Sequence, residues 1–418
     1  MIKITRRNIF SGCVISCLCL LLLFASRKYS TNDIPFISQS KSILKGQHLT
    51  PVSYSNPKEY DTSKENRINY SFIVNYGRTK IKEEMQEYIY PNGMYNNIAE
   101  KLTDLTPETG GTPIRSIIIT TWRSGSTFLG DILNAMPGNF YHYEPLLNYD
   151  IIQIRGPPYA KGAIRNLKKL LKCDYDDMED YLDYGKGHNW LFTHNTRLWE
   201  ACEGGDVCWD PSFLNDFCKL FPLQSMKVVR LRLKLAEQLL SDPTLNVRII
   251  LLIRDPRGTI QSRKHRDWCP GNPDCDRPSN LCRDMVSDYK YAKELQRKYP
   301  ERFRSLRYED LSMDPVNYVK SLFNFLGLPV TESVTKFLET HTTMDIGGVS
   351  STFRNSKAAP FHWKQDLTFP EIRSIEEDCI QAMVDWRYKI AENETVLSSK
   401  DWSPLDKLDA QDIGLLLP

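Results

Sequence analysis

Two short segments place Arg, Gly, Ser and Thr directly after apolar runs, an arrangement that suits an anion-binding turn. The first follows Ile117–Ile119 and reads Arg123-Ser124-Gly125-Ser126-Thr127-Phe128-Leu129. Its glycine permits a close turn, and the N–H groups at a helix start point toward an anion. The hydroxyls and the guanidinium add further donors. An ordinary helix N-cap uses the same residue types, so this segment alone leaves both interpretations open.

The second segment runs from Leu252 to Arg263 and has the same arrangement as the first, an apolar strand followed by a polar turn and a helix. A buried strand ends in Arg254, Pro256 begins a helix, and Ser262 lies two turns into that helix. Arg254 and Ser262 are therefore predicted to grip one phosphate from two sides. A surface pair of Arg254 with Asp255 beside a capping proline is the alternative.

Together the two segments resemble the signature loops of the sulfotransferases, whose donor is 3′-phosphoadenosine 5′-phosphosulfate. The resemblance implies that Arg123–Leu129 cradles the 5′-phosphosulfate and that Arg254 and Ser262 bind the 3′-phosphate, with no metal expected. The text from Lys227 to Arg263 is more specific, and resembles the Golgi carbohydrate sulfotransferases that modify the 6-hydroxyl of galactose, N-acetylgalactosamine or N-acetylglucosamine. The resemblance spans about residues 114–364.

Sulfuryl transfer requires a base for the acceptor hydroxyl and cations that hold charge on the bridging oxygen. Glu144, in the text FYHYEPL, is the predicted base, because in the resemblance a Glu occupies this place. His142 competes, since its ordinary pKa of about 6.5 suits a base better. Glu144 is predicted to lie at the tip of the strand that follows the first helix, and strand alternation would place both residues on one face of that strand. Arg123 is predicted to stabilise the leaving phosphate oxygen, where other sulfotransferases often have a Lys.

The resemblance also implies further donor contacts late in the chain. Tyr308 resembles a family motif near the nucleotide, although an aromatic residue after a strand is more often core. Arg354, in the text STFRNS before Trp363-Lys364, resembles the loop that closes over the 3′-phosphate.

For the acceptor, chondroitin and keratan chains are the candidates. The basic stretch Arg165–Lys172 suits an anionic glycan, but an ordinary solvated helix face is the simpler interpretation. Trp268 and Trp363 suit stacking on sugars, although most tryptophans are buried. The net charge of +2 gives no reason to expect a nucleic-acid partner. The oligomeric state is not determined.

Strands alternate with helices after Pro113, which predicts an α/β fold with a P-loop-like parallel sheet flanked by helices. Ligands of such sheets bind at the carboxyl ends of the strands. The predicted strands are 114–120, 190–193, 226–231, 247–253 and 303–308. The predicted helices are 126–136, 233–240, 256–265, 316–326 and 332–340.

The N-terminus predicts a membrane anchor. An apolar run at 9–25 is flanked by basic residues, and its length reaches the minimum of about 17 residues for a spanning helix. A cleaved signal peptide is the alternative. We therefore expect a cytosolic tail at 1–8, an anchor at 9–25, a lumenal stem at 26–112 and a catalytic domain at 113–418 in the Golgi.

The cysteines agree with an oxidising compartment. Three lie in the apolar run, and eight remain at positions 173, 202, 208, 218, 269, 275, 282 and 379. Local bridges Cys202–Cys208 and Cys269–Cys275 are plausible, while the other pairings stay open. Asn69 and Asn393 begin sequons for glycosylation.

Two other functions compete with a sulfotransferase. A P-loop kinase or nucleotidase would require a Lys in the first loop, which is absent. A non-catalytic lumenal protein that binds glycans or nucleotides would retain both phosphate loops, so Glu144 argues against it only weakly.

Overall fold

A parallel sheet forms the centre of the fold in the part of the chain that the structure describes. The computed structural model describes residues 70–86, 88–90, 98–342, 355–399, 401–407 and 413–418. In these residues the sheet has the order β2-β3-β1-β4-β5, and every neighbouring pair is parallel. Its strands are β1 (Ile114–Ile119), β2 (Asn139–Tyr143), β3 (Leu223–Val228), β4 (Val247–Ile253) and β5 (Phe303–Arg307).

Helices connect the strands. In chain order, the described α-helices are α1 (Ser71–Glu84), α2 (Ser126–Asn134), α3 (Ala160–Leu171), α4 (Glu179–Gly187), α5 (Trp190–Thr193), α6 (Thr196–Cys202), α7 (Pro211–Cys218), α8 (Leu233–Leu240), α9 (Pro256–Lys264), α10 (Pro273–Asp276), α11 (Pro278–Lys298), α12 (Tyr308–Met313), α13 (Pro315–Leu326), α14 (Glu332–His341), α15 (Trp363–Asp366), α16 (Phe369–Asp385) and α17 (Glu394–Ser398).

The central strands are buried because helices cover both faces of the sheet. All residues of β1 and β4 are buried, as expected where crossover helices cover a parallel sheet. The parallel sheet flanked by helices is therefore confirmed. Nine of the ten predicted elements occur close to their expected bounds.

The exception is the segment Trp190–Thr193, where the prediction of a strand is wrong because it forms the short helix α5. Four residues are too few for periodicity to separate a strand from a buried turn of helix. Leu191 and Phe192 face the core while Trp190 stays 41% exposed. The helical geometry therefore directs Trp190 outward.

Four disulfides join the eight cysteines of the described residues. The local bridges Cys202–Cys208 and Cys269–Cys275 are confirmed. The other two, Cys173–Cys218 and Cys282–Cys379, connect distant elements that the sequence left unpaired. Such a set is typical of proteins that fold in an oxidising compartment.

The predicted anchor at 9–25 and the first part of the stem lie outside the described residues. Among the residues that are described, no helix has the length and apolar character needed to cross a membrane. Asn69 also lies outside them. Asn393 is exposed at the start of α17, where its side chain accepts a hydrogen bond from the N–H of Val396.

Candidate active site

The two signature loops meet at one edge of the sheet. They follow β1 and β4, which are adjacent parallel strands, so their carboxyl ends lie side by side. A cleft of about 1010 Å³ opens at this edge. Arg123, Arg254 and Ser262 all line it. The cleft therefore lies at the edge where ligands of such sheets are expected to bind.

The first loop turns sharply into α2. Gly125 precedes the helix with a φ of 83°, and Arg123 has a φ of 66°. A Cβ at Gly125 would lie 2.2 Å from the Tyr308 ring, so only glycine fits this turn. Ser126, Thr127 and Phe128 follow at the helix start and line the cleft.

Two residues of this loop do not face the cleft, contrary to expectation. The Ser124 side chain is buried, and its hydroxyl donates to the carbonyl of Thr121 and shares a hydrogen bond of 2.6 Å with the Thr120 hydroxyl. Leu129 is buried in the hydrophobic core. Ser124 therefore stabilises the turn, because its hydroxyl is already engaged, and Leu129 anchors α2.

The second loop brings cations beside the first. Arg123 Nε donates to Ser262 Oγ at 3.0 Å, and Arg254 Nη1 donates to the carbonyl of Arg123 at 2.9 Å. Arg254 Nε is buried without a hydrogen-bond partner. Burial, with Arg266 and Arg254 nearby, lowers the pKa of Arg123 to about 10. This concentration of positive charge fits a polyanionic donor.

The residues predicted late in the chain to contact the donor or the sugar differ in where the structure places them. Tyr308 lines the cleft between the loops, and the Arg254 guanidinium lies 5.0 Å from its ring centre. Trp363 is fully buried, with the Arg257 guanidinium 4.2 Å from its ring centre. Of the two interpretations of Trp363, the structure favours the buried tryptophan over a residue that stacks on a sugar. Arg354 lies outside the described residues.

Glu144 lies at the cleft between two cations. It follows β2 with a φ of 42°. Its Oε1 accepts from Lys227 Nζ at 2.9 Å, and its Oε2 accepts from Arg230 Nη1 at 2.8 Å. Burial alone would raise the pKa of Glu144, but Lys227 and Arg230 outweigh it and lower the pKa to about 2. Glu144 is therefore a carboxylate at neutral pH.

His142 occupies a different environment. Its ring packs edge-on against Phe140 at 5.0 Å, and its Nε2 is buried without a hydrogen-bond partner. Burial lowers the pKa of His142 to about 3. It does not line the cleft, whereas Glu144 does. The expected shared face is wrong because the left-handed backbone at Glu144 breaks the strand alternation.

Lys227 is the functional candidate that the sequence analysis missed. It lies on β3 opposite Tyr143 of β2, is 1% exposed at its side chain, and donates to Thr127 Oγ1 at 3.3 Å. It also lies 3.7 Å from the centre of the Tyr143 ring. The sequence offered one signal for this residue, a lysine near the end of a predicted strand of a parallel sheet. A lysine that is buried in such a strand requires a charged or polar partner.

The basic stretch Arg165–Lys172 lies on and just after α3. Lys168 pairs with Asp242 at 2.9 Å and Lys169 with Asp174 at 3.0 Å. Arg165 donates to the carbonyl of Asp177. These contacts favour the simpler interpretation of a solvated helix face over a glycan-binding patch.

Comparison with known proteins decides the family. The sequence model of the Sulfotransferase domain matches residues 113–387, well over half of the chain. The chain belongs to the sulfotransferase family. It is therefore an enzyme by class, and the match contradicts a P-loop kinase. The resemblance inferred from the two loops is confirmed.

Several relatives of this sulfotransferase are curated. It is 27% identical to mouse carbohydrate sulfotransferase 5 over 74% of this chain and 86% of that protein. It is 26% identical to human carbohydrate sulfotransferase 6 over 66% of this chain and 81% of that protein. It is 25% identical to human carbohydrate sulfotransferase 1 over 75% of this chain and 89% of that protein.

Solved structures are more distant. The sulfotransferase domain of the Synechococcus PCC 7002 olefin synthase is 19% identical, with a TM-score of 0.40, over 66% of this chain and 96% of that chain. The fold assignment therefore rests on the parallel sheet and on the family match.

Proposed function

We propose that this sulfotransferase moves the sulfuryl group of 3′-phosphoadenosine 5′-phosphosulfate to a sugar hydroxyl, the 6-hydroxyl of galactose, N-acetylgalactosamine or N-acetylglucosamine in a glycan. The names of the curated relatives support a carbohydrate acceptor. The single observation that carries the proposal is the position of Glu144, a buried carboxylate that lies in the same cleft as both anion-binding loops.

Different residues of the cleft bind different parts of the donor. The N–H groups at the start of α2, with the hydroxyls of Ser126 and Thr127, face the 5′-phosphosulfate. Arg254 and Ser262 bind the 3′-phosphate, and the unpartnered Arg254 Nε supplies a donor for it. Arg123 holds charge on the phosphate that leaves.

The transfer then needs one proton movement. The acceptor oxygen bonds to sulfur as the bond from sulfur to the bridging phosphate oxygen breaks. Glu144 takes the hydroxyl proton, and the bisphosphate leaves with the bridging electron pair. Lys227 lies between Glu144 and Thr127, so its charge stabilises negative charge that develops at the donor.

Binding of the donor raises the pKa of Glu144. A carboxylate with a pKa near 2 is a weak proton acceptor. When the anionic donor enters, it competes with Glu144 for the charge of Lys227 and adds negative charge nearby. Both effects raise the pKa of Glu144, because a like charge disfavours the ionised carboxylate. The base therefore strengthens only when the donor is present.

The proposal includes the cellular setting. A signal anchor at 9–25, a stem at 26–112 and a lumenal catalytic domain at 113–418 form a single-pass Golgi membrane enzyme. The flanking basic residues and the four disulfides support this orientation.

The test is transfer of labelled sulfate by the purified full chain. Chondroitin, desulfated keratan and simple N-acetylglucosamine glycans are offered separately, beside the variants Glu144→Gln and Arg254→Ala. We expect transfer to one of these acceptors and its loss in both variants.

Two results would contradict the proposal in different ways. Tight binding of the bisphosphate without transfer to any acceptor would indicate a binding protein. Transfer of normal rate by Glu144→Gln would refute Glu144 as the base while leaving the reaction class intact.

A further inference from the structure

Two half-exposed tryptophans line the same cleft as Glu144. Trp190 of α5 and Trp268, which follows α9, are each 41% exposed, and both line the cavity with Glu144. Burial of a tryptophan releases a large apolar area from water. Aromatic faces left open inside a cleft therefore suit a ligand that covers them.

Both rings are held in place by their neighbours. Trp190 packs edge-on against Tyr143 at 6.0 Å, and Trp268 packs edge-on against Trp122 at 6.3 Å. The carbonyl of Trp268 accepts from Asn272 Nδ2, and the Cys269–Cys275 bridge closes the same loop. A fixed aromatic surface loses little conformational freedom when a ligand stacks on it.

Beside Glu144, the charged lining groups are Asp150 and two cations that Glu144 already pairs, whereas Arg254 and Arg266 lie near Arg123 of the first loop. Asp150 is exposed and lines the cleft, and within the described part of the chain its carboxylate makes no hydrogen bond or ion pair. Lys227 and Arg230 are both engaged by Glu144. Sugar hydroxyls donate to a free carboxylate, whereas a uronic acid would be repelled by it.

Building on the proposed function, we propose that Trp190, Trp268 and Asp150 form the acceptor site and select an uncharged glycan chain. Sugar rings stack on the two tryptophans, and a sugar hydroxyl donates to Asp150. The acceptor hydroxyl then lies beside Glu144. Chains that carry a carboxylate on alternate sugars are disfavoured, so this surface sets specificity within the carbohydrate acceptors.

The test measures binding of two tetrasaccharides by calorimetry on the full chain, with the bisphosphate present. One is an uncharged galactose–N-acetylglucosamine repeat, and the other is chondroitin, which carries uronic acids. We expect the wild type to bind the uncharged chain at least tenfold more tightly. Trp190→Ala and Trp268→Ala each weaken that binding by about fivefold to tenfold, because one stacked ring is lost.

Matched variants separate the contributions. Trp268→Phe retains an aromatic face and most of the affinity. Asp150→Asn keeps the size and shape of the side chain, so it meets the same backbone conformation as the wild-type residue. It is expected to reduce the preference for the uncharged chain over chondroitin by at least threefold. Phe72→Ala removes a 77% exposed ring outside the cleft and leaves both affinities unchanged.

The outcomes distinguish this proposal from the previous one. Equal or tighter binding of chondroitin by the wild type, binding of neither chain, or unchanged affinity in both tryptophan variants would overturn the acceptor site. Binding of the bisphosphate is measured in every sample and reports folding and the donor loops. Expected tetrasaccharide binding without any sulfate transfer would support the acceptor site and contradict only the proposed reaction.

Discussion

Lys227 Nζ lies 2.9 Å from Glu144 Oε1. The same ammonium group donates to Thr127 Oγ1 of the first loop, at 3.3 Å. One buried cation therefore connects the candidate base to the donor loop. Because each of these groups affects the charge of the others, substitutions within this set are expected to be non-additive.

Replacement of Glu144 by Gln tests the base directly. The amide keeps the shape and one acceptor oxygen but cannot take a proton, so kcat should fall by about 10²–10⁴-fold. Affinity for the bisphosphate should stay within about threefold, as measured by calorimetry. Asp183→Asn, an exposed carboxylate paired with Lys186 on α4, should leave kcat unchanged. Preservation of kcat in Glu144→Gln would exclude its role as base.

Replacement of Lys227 by Met removes the shared cation. We expect kcat to fall by about 10²–10³-fold, comparable to the loss of one oxyanion donor. The free energy of unfolding should fall by about 3–5 kcal/mol because Glu144 loses one of two buried partners. Lys186→Met breaks the exposed pair with Asp183 and should change stability by less than about 1 kcal/mol.

A double variant distinguishes coupling from simple damage. If Lys227 acts together with Glu144, then Lys227→Met combined with Glu144→Gln should lower kcat little more than Glu144→Gln alone. Fully multiplicative losses in kcat would show that the two residues act independently.

Replacement of Arg254 by Ala tests the second loop. The guanidinium makes charge-assisted hydrogen bonds worth about 1.5–3 kcal/mol each, so affinity for the bisphosphate should fall by about 10–100-fold. Arg254→Lys keeps the charge but loses the planar fork, and should recover only part of that affinity. Calorimetry with the bisphosphate measures both. Equal affinities in wild type and Arg254→Ala would remove Arg254 from the donor site.

Glu309 predicts a pH dependence of stability. It accepts hydrogen bonds from the N–H of Asp255 and from the hydroxyl of Tyr388. Burial, and then the Asp255 carboxylate, raise the pKa of Glu309 from 4.5 to about 7. Between these two values the unfolded chain has lost a proton that the folded chain retains. The free energy of unfolding should therefore decrease as pH rises through this range.

Glu309→Gln is the control for that pH dependence. The amide is neutral at every pH and still accepts from the backbone, so the decrease of about 1–3 kcal/mol across this range should flatten. Urea unfolding at several pH values measures it. An unchanged slope in Glu309→Gln would assign the pH dependence to another group, such as Asp288, whose pKa burial raises to about 6.

Local sequence patterns correctly predicted many of the strands and helices. The seven buried residues of β4 follow from an apolar run bounded by turn signals, and Pro256 correctly marks the start of α9. The strand prediction for residues 190–193 was wrong because a short apolar run is compatible with either a strand or a turn of helix. Its outcome depends on packing against the core, which the sequence does not display.

The sequence by itself determined the family, the two loops, the sheet strands that carry them and the local disulfides, because each depends on residues close together along the chain. Only the tertiary structure brought Lys227 to Glu144, separated Glu144 from His142 and engaged the Ser124 hydroxyl inside the turn. It also paired Cys173 with Cys218 and placed Trp190 with Trp268 in one cleft. These relationships join residues from different elements, and their distances are fixed by how helices pack on the sheet.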